Sequence, residues 1–249
     1  RHTPLPCIRE DCMLHDTCGK MTALKPRILK STEILLWVYC VGLAGMLLPF
    51  SRELFRMITP LNLLFAAVFL FWGKLPARRV IFTGLFIAVT SFFIEAAGTE
   101  TGKIFGVYIY GQTLGPTLLN TPLIIGLNWF LLIYCTNVIS RQLWERLPHD
   151  NTRRHGGVIK SLFVIFTGSL LMVAYDLFLE PAAMRLDMWS WECKVIPLKN
   201  YLGWFFFSAV FHAVTRVWGE EEINSRALPL FAVQMGFFAA IDLFYLLAA

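Results

Sequence analysis

Seven apolar stretches constrain this chain more than any other feature of its sequence. A helix needs about 20 mostly apolar residues to cross the hydrocarbon core of a membrane. Backbone groups inside lipid must find partners within the protein, and these stretches lack the alternation of barrel strands. The pattern therefore predicts an all-α, polytopic integral membrane helix bundle. The stretches are Thr32–Pro49, Ile58–Gly73, Val80–Gly98, Pro122–Ile139, Val158–Leu179, Tyr201–Trp218 and Leu228–Leu247.

The overall composition agrees with a membrane protein. Of the 249 residues, 57% are hydrophobic and only 16% are charged, whereas soluble domains carry about 25% charged residues. We predict that residues 31–249 form a single transmembrane helical domain with about seven spans. The expected location is a prokaryotic cytoplasmic membrane.

The basic residues predict the orientation of the bundle. With seven spans, sixteen Lys and Arg residues fall on the side of the N-terminus and six on the opposite side. Cytoplasmic loops of membrane proteins carry the excess of basic residues, so the N-terminus is predicted to be cytoplasmic. The net charge of +5 is then a topology signal, and nucleic acid is not an expected partner.

The first thirty residues resemble no functional segment. Cys7, Cys12, His15 and Cys18 are enough ligands for a tetrahedral zinc ion, but their spacing matches no common zinc finger. We interpret residues 1–30 as a leader or a non-native extension and predict no metal site in the chain.

Several spans bring polar residues to the outer side of the membrane. Polar groups near one helix end can simply reach the lipid headgroups, but a set from five helices favours a shared cavity. Two of them, Asp176 and Glu180, are four residues apart and so share one helix face. The full set is Glu95, Asn128, Asp176, Glu180, Asn200 and Asp242.

Aromatic and small residues surround these polar groups. If helical, Gly98, Gly102 and Gly106 form a smooth face for close packing. The aromatic rings are explained either by a belt at the membrane interface or by a site whose ring faces attract a cationic intermediate. With Asn128 and Asn200, the predicted substrate-binding residues are Tyr108, Tyr110, Trp129, Trp189, Trp191 and Trp204.

Three segments resemble one known family. The first runs from Phe105 to Pro116 (FGVYIYGQTLGP) and continues over Pro122–Trp129 (PLIIGLNW). The second is Asp176–Pro181 (DLFLEP), and the third joins Trp189-Ser-Trp191 to Ile196–Trp204 (IPLKNYLGW). Together they resemble the carotenoid biosynthesis family of CruF-like membrane hydratases, over roughly the central half of the chain.

The resemblance implies a hydro-lyase that adds water to a terminal carbon–carbon double bond of an acyclic carotenoid end group. The implied substrate is similar to lycopene or γ-carotene, or to a C50 precursor, and the product is a tertiary alcohol. No cofactor is expected. The expected partners are a long apolar polyene from the lipid phase, water, membrane lipids and other enzymes of the carotenoid pathway.

Elementary chemistry is compatible with this function. Hydration requires an acid that protonates the alkene to a tertiary cation, and burial keeps a carboxylic acid protonated. Neighbouring carboxyl groups separate into acid and base. Our hypothesis is that Asp176 donates the proton and that Glu180 or Glu95 handles the water. For Glu180 the alternative is a helix-end residue that faces headgroups or pairs with Arg185.

Other functions stay open at this point. A membrane lycopene cyclase uses the same cation, which an internal alkene captures instead of water. A transporter or a carotenoid-binding scaffold is the non-enzymatic alternative, although the charges cluster at one helix end rather than at the midplane where transporters bind ions. A retinal pump is disfavoured because Leu228–Leu247 contains no Lys for a Schiff base.

Overall fold

The computed structural model describes residues 31–73, 75–148, 157–218 and 223–248. The predicted leader and its possible zinc ligands lie outside these residues. The described part is mostly helical, which confirms the all-α prediction. Its helices are α1 (Ser31–Leu47), α2 (Arg52–Met57), α3 (Thr59–Phe71), α4 (Arg78–Thr101), α5 (Ile125–Arg146), α6 (Gly157–Arg185), α7 (Leu198–Val217) and α8 (Ala227–Leu247).

Within the described residues, three helices, α4, α6 and α8, are long and apolar enough to cross a membrane. The second predicted span is shorter than expected, because α3 has only 13 residues and rises about 20 Å, against a hydrocarbon core of about 30 Å. Helices α5 and α7 have 22 and 20 residues but carry more polar side chains. The structure is an all-α membrane helix bundle, and the count of seven spans stays a prediction.

Helix α5 lies at the centre of the bundle and packs against α4, α6, α7 and α8. Its first turn touches α4 directly: a Cβ built on Gly126 would lie 2.2 Å from the backbone oxygen of Ala88. Only glycine permits this approach. The contact brings the outer halves of α4 and α5 together, where Glu95 and Trp129 lie.

Two helix ends differ from the sequence prediction. Helix α4 stops at Thr101 because Gly102 takes the left-handed conformation (φ 63°) and donates its N–H to the Gly98 carbonyl. The proposed smooth face of glycines therefore does not continue to Gly106. Helix α6 instead continues past Pro181 to Arg185, so the residue before that proline lies inside a helix.

Two loops on the predicted outer side pair with each other, one between α4 and α5 and the other between α6 and α7. Strand β1 (Tyr108–Tyr110) runs antiparallel to β4 (Trp189–Trp191), with Tyr108 opposite Trp191 and Tyr110 opposite Trp189. A second, smaller pair joins β2 (Thr117–Leu118) to β3 (Thr121–Pro122). Side chains two residues apart on a strand share a face. We call the β1–β4 pair the outer ribbon, and its two tyrosines and two tryptophans all point toward the bundle.

Candidate active site

Glu95 of α4 is surrounded by hydrogen-bond donors. Its Oε2 accepts from the hydroxyls of Tyr108 (2.5 Å) and Tyr110 (2.9 Å) on the outer ribbon, and its Oε1 accepts from Trp129 Nε1 of α5 (2.9 Å). The residue is 4% exposed. Burial and the adjacent carboxylate raise the pKa of the Tyr108 and Tyr110 hydroxyls well above the ordinary tyrosine value, so both remain donors.

Glu180 of α6 is held in a similar way by the opposite strand of the ribbon. Its Oε2 accepts from the indole N–H groups of Trp189 (2.8 Å) and Trp191 (2.6 Å). Its Oε1 accepts from Asn200 Nδ2 at 2.9 Å, and the side chain is buried. The headgroup-facing alternative is therefore wrong, and so is the pairing with Arg185, which binds Asp242 instead at 2.8 Å.

Asp176 lies one turn earlier on α6 and is completely buried. A single carboxamide joins it to its neighbour, because Asn200 Nδ2 donates to Asp176 Oδ2 (2.7 Å) as well as to Glu180. The other oxygen, Asp176 Oδ1, has no hydrogen-bond partner. Among these three carboxyl groups, it is the oxygen left unpaired.

A small cavity lies between these groups. Its volume is about 20 Å³, and about 10–15 Å³ is enough for one water molecule when polar partners are present. Glu95 and Glu180 line it, whereas Asp176 lies behind its wall. The other polar lining residues are Tyr108, Tyr110, Asn128, Trp189, Trp191, Asn200 and Trp204.

A much larger cavity adjoins the small one. It has a volume of about 630 Å³ and is walled mainly by apolar side chains of α1, α3, α6 and α8. Ile125, Asn128 and Trp189 line both cavities and so mark where they meet. At the outer rim, Trp37 and Leu61 are exposed on the surface of the bundle. The cavity therefore opens sideways, toward the region that lipid would occupy.

The structure brings the predicted site residues together. Six of the eight predicted binding residues donate hydrogen bonds to the carboxyl groups, in one group around Glu95 and a second around Asp176 and Glu180. Trp204 packs on Trp129 with ring centroids 4.6 Å apart, and Asn128 lies where the cavities meet. Their catalytic and binding roles stay predictions. Asp242, by contrast, belongs to a separate ion pair with Arg185.

The electrostatics of the cluster are unusual. Within the described residues, none of the three carboxyl groups makes an ion pair, so the cluster relies on neutral donors. Burying an unpaired charge is costly, and like charges in one site oppose full ionisation. In the same part of the chain, no group of three or more His, Cys, Asp or Glu side chains is placed to hold a metal ion.

The comparison with known protein families identifies the family of this chain. A family described as "Carotenoid biosynthesis protein" matches residues 55–248. The chain belongs to the carotenoid biosynthesis protein family. The matched region contains all three carboxyl groups, the outer ribbon and the lining of both cavities, except for the α1 wall of the large cavity.

The chain is also similar to a protein that is named for its activity. Bisanhydrobacterioruberin hydratase of Haloarcula japonica is 26% identical over 170 residues, which cover 61% of this chain and 55% of that protein. The chain thus spans just over half the length of this relative. No solved structure matches the chain.

Sequence reasoning missed three polar residues of the large cavity. Tyr39, Asn62 and Gln234 line it, from α1, α3 and α8. Each interrupts an apolar run of the sequence, and a polar side chain within a membrane span is itself a signal of function or of helix contact. These three residues stood out less in the sequence than the polar groups at the predicted outer helix ends, which are more numerous.

Proposed function

We propose that this protein is a carotenoid hydratase. It adds water across the terminal double bond of an acyclic carotenoid end group, similar to that of lycopene, γ-carotene or a C50 precursor. The observation that carries the proposal is a buried cluster of three carboxyl groups beside a water-sized cavity, which opens into a large apolar cavity. Membership of the carotenoid biosynthesis family and the hydratase relative support the same reaction.

The large cavity suits the polyene. Its apolar walls match a hydrocarbon chain, and its exposed rim at Trp37 and Leu61 provides a path from the lipid phase. An end group that enters this way reaches Ile125 and Asn128, where the two cavities meet. The substrate thus approaches the carboxyl groups from the membrane side, underneath the outer ribbon.

The Asp176–Glu180 pair supplies the proton. Three donors hold the oxygens of Glu180, which favours its charged form, whereas Asp176 has one donor and an unpaired Oδ1. Asp176 therefore holds the proton in the free enzyme. It passes this proton to Glu180, which lines the cavity and gives it to the alkene. Asn200 fixes both groups in one geometry, as general acid catalysis requires.

Water addition then completes the reaction. The proton adds to the less substituted alkene carbon and leaves a tertiary cation, which the faces of the surrounding tryptophans stabilise. A water molecule in the small cavity bonds through its oxygen to the cation. Glu95 accepts the proton that this water loses, and the return of that proton to the Asp176–Glu180 pair restores the enzyme. The net change is one added water.

The small cavity favours hydration over cyclisation. A cyclase must keep water away from the same cation, whereas here about 20 Å³ of space lies among carboxyl, amide and hydroxyl groups. Asn128 and Asn200 are placed to orient a water molecule in that space. The cyclase and the non-enzymatic binding protein become alternative outcomes of the experiment below.

The experiment is pigment analysis in cells that accumulate lycopene or γ-carotene. The chain is expressed beside Asp176→Asn, which keeps the side-chain shape but removes the acid. We expect a new pigment heavier by one water with the wild type and none with the variant. An isomer of unchanged mass would indicate a cyclase. Unchanged pigment despite good membrane expression would contradict the hydratase for these substrates, and normal product from the variant would remove Asp176 from the chemistry.

We also propose that the protein crosses a prokaryotic cytoplasmic membrane about seven times, with a cytoplasmic N-terminus. The outer ribbon and its neighbour Cys193 then face the external side, and Cys193 is exposed. A membrane-impermeant maleimide should label Cys193 in intact cells, and a Cys193→Ser variant is the control. Labelling of Cys193 only after cell lysis would reverse the orientation.

A further inference from the structure

A second polar cluster lies in the large cavity, and the proposed chemistry does not use it. Gln234 Nε2 of α8 donates a hydrogen bond to the Tyr39 hydroxyl of α1 at 3.0 Å. Asn62 of α3 lines the same cavity beside this pair. Tyr39 and Gln234 are 6% and 5% exposed. We call these three residues the Tyr39 cluster.

The Tyr39 cluster lies deep in the bundle. Gln234 falls between Phe231 and Phe238 on α8, and both of these rings contact Tyr175, the residue before Asp176. The cluster is therefore near the level of the carboxyl groups, beside the face of α6 that carries Tyr175. At that depth a lipid headgroup is not the natural occupant.

The cluster has hydrogen-bonding capacity left over. A Gln side chain has two N–H donors and a carbonyl acceptor, and the Tyr39 hydroxyl uses one of the donors. No second partner for the Gln234 carboxamide is present among the described side chains, and Gln234 lines the cavity. One N–H and one carbonyl oxygen are thus available to a molecule in the cavity.

Helix packing alone explains only part of this arrangement. A polar pair can join two helices inside a membrane, and the Tyr39–Gln234 bond does so for α1 and α8. That role does not require the remaining groups to line a cavity of about 630 Å³. Facing apolar walls, unused amide groups are costly unless a ligand binds them.

We infer that the Tyr39 cluster is a recognition subsite for a hydroxyl group on the polyene. A hydroxyl both donates and accepts, so it satisfies the Gln234 carbonyl and the free N–H together. The inference rests on the proposed function and deepens it: the preferred ligand is a polyene that already carries a hydroxyl, rather than a pure hydrocarbon. Asn128 marks the reacting end of the same cavity, and the Tyr39 cluster holds a different part of the molecule.

The test measures binding without turnover. Asp176→Asn protein, purified in detergent, is titrated with lycopene and with its monohydroxylated derivative, and quenching of tryptophan fluorescence reports occupancy because Trp37 and Trp189 line the cavity. Each additional hydrogen bond contributes about 0.5–1.5 kcal/mol, so even one of the two gives the hydroxylated polyene a roughly two- to tenfold lower Kd.

Two further substitutions in this background locate the preference. Gln234→Met keeps an unbranched side chain, and Tyr39→Phe removes only the hydroxyl that holds Gln234. Both should abolish the preference while the affinity for lycopene stays unchanged, which also shows that the cavity is intact. Asn128→Leu should keep the preference.

Three results would overturn the inference. The first is equal affinity of the Asp176→Asn protein for the two polyenes. The second is a preference for the hydroxylated polyene that survives both Gln234→Met and Tyr39→Phe, and the third is a preference that only Asn128→Leu removes. Failure of the proposed function is a separate result. It would appear as the absence of a hydrated pigment in cells, whatever the binding preference of the purified protein.

Discussion

Replacing Asn200 with leucine should destabilise the protein strongly, because one carboxamide serves two buried carboxyl groups. Its Nδ2 donates to Asp176 Oδ2 at 2.7 Å and to Glu180 Oε1 at 2.9 Å. Without it, Asp176 has no hydrogen-bond partner among the described residues, since Oδ1 already has none. Glu180 keeps the two indole donors of the outer ribbon.

The magnitude follows from the two lost bonds. Each buried acceptor left unsatisfied costs about 1–3 kcal/mol, so the pair costs about 2–6 kcal/mol. In a protein of this size, 1 kcal/mol shifts Tm by about 2–4 °C, and the expected fall in Tm is roughly 4–24 °C. Leucine has the same branching as asparagine but is larger, so overpacking adds to the effect, and the control must carry the same change in volume.

The assay is thermal unfolding of the purified protein in detergent, followed by tryptophan fluorescence. The matched control is Asn128→Leu, the same substitution on the wall of the same small cavity but without a bond to a carboxyl group. Its Tm should stay within about 2 °C of the wild type, in line with a change of at most 0.5 kcal/mol at a site without such features. Equal Tm values for the two variants would refute the bridging role of Asn200.

Three further predictions test the surroundings of the cluster. Gly126→Ala should lower the free energy of unfolding by about 1–3 kcal/mol, because it forces α5 away from α4. The control is Gly236→Ala, which has open space around it and should not lower Tm. Equal Tm values for the two variants would contradict the close contact. Tyr108 and Tyr110 should stay unionised in the folded protein when absorbance is followed above pH 10. Their pKa values are raised in the folded state, so their contribution to stability is complete below the ordinary tyrosine pKa and is lost as pH rises above it. Ionisation of all seven tyrosines near the ordinary tyrosine pKa would contradict this prediction. Trp191→Phe removes one donor from Glu180. A hydrogen bond to a charged group is worth about 1.5–3 kcal/mol, so the amount of hydrated pigment should fall at least about tenfold. Undiminished pigment would show that the bond has no catalytic role.

The helical architecture was predictable because it depends on local sequence. An apolar run in lipid has few ways to satisfy its backbone, so α4, α6 and α8 follow directly from their composition. The short α3 was harder to predict. Its apolar run includes Ile58, Trp72 and Gly73, but the helix itself occupies only Thr59–Phe71, and composition alone does not mark these ends.

The outer ribbon was not predictable from local patterns. Its strands are three residues long and about eighty residues apart in the chain, and such non-local pairing leaves little trace in either segment. The alternation of Tyr108-Ile-Tyr110 and Trp189-Ser-Trp191 was visible in the sequence, but many loops contain similar triplets. Only the fold shows that the four rings act as donors to two glutamates.

The cluster of carboxyl groups was partly predictable. The spacing of Asp176 and Glu180 placed both on one face of a helix, and the structure agrees. The sequence did not indicate that Asn200 bridges them, or that Glu95 accepts three bonds from two other elements. These contacts depend on how α4, α6 and α7 pack, which the composition of each helix does not determine.

The most direct test of the central claim is the source of the added oxygen. Membranes that contain the protein are incubated with lycopene or γ-carotene in water labelled with heavy oxygen, and the product is analysed by mass spectrometry. The account predicts a tertiary alcohol heavier than the substrate by one labelled water. An unlabelled hydroxyl, or a product with the mass of the substrate, would contradict hydration by this site.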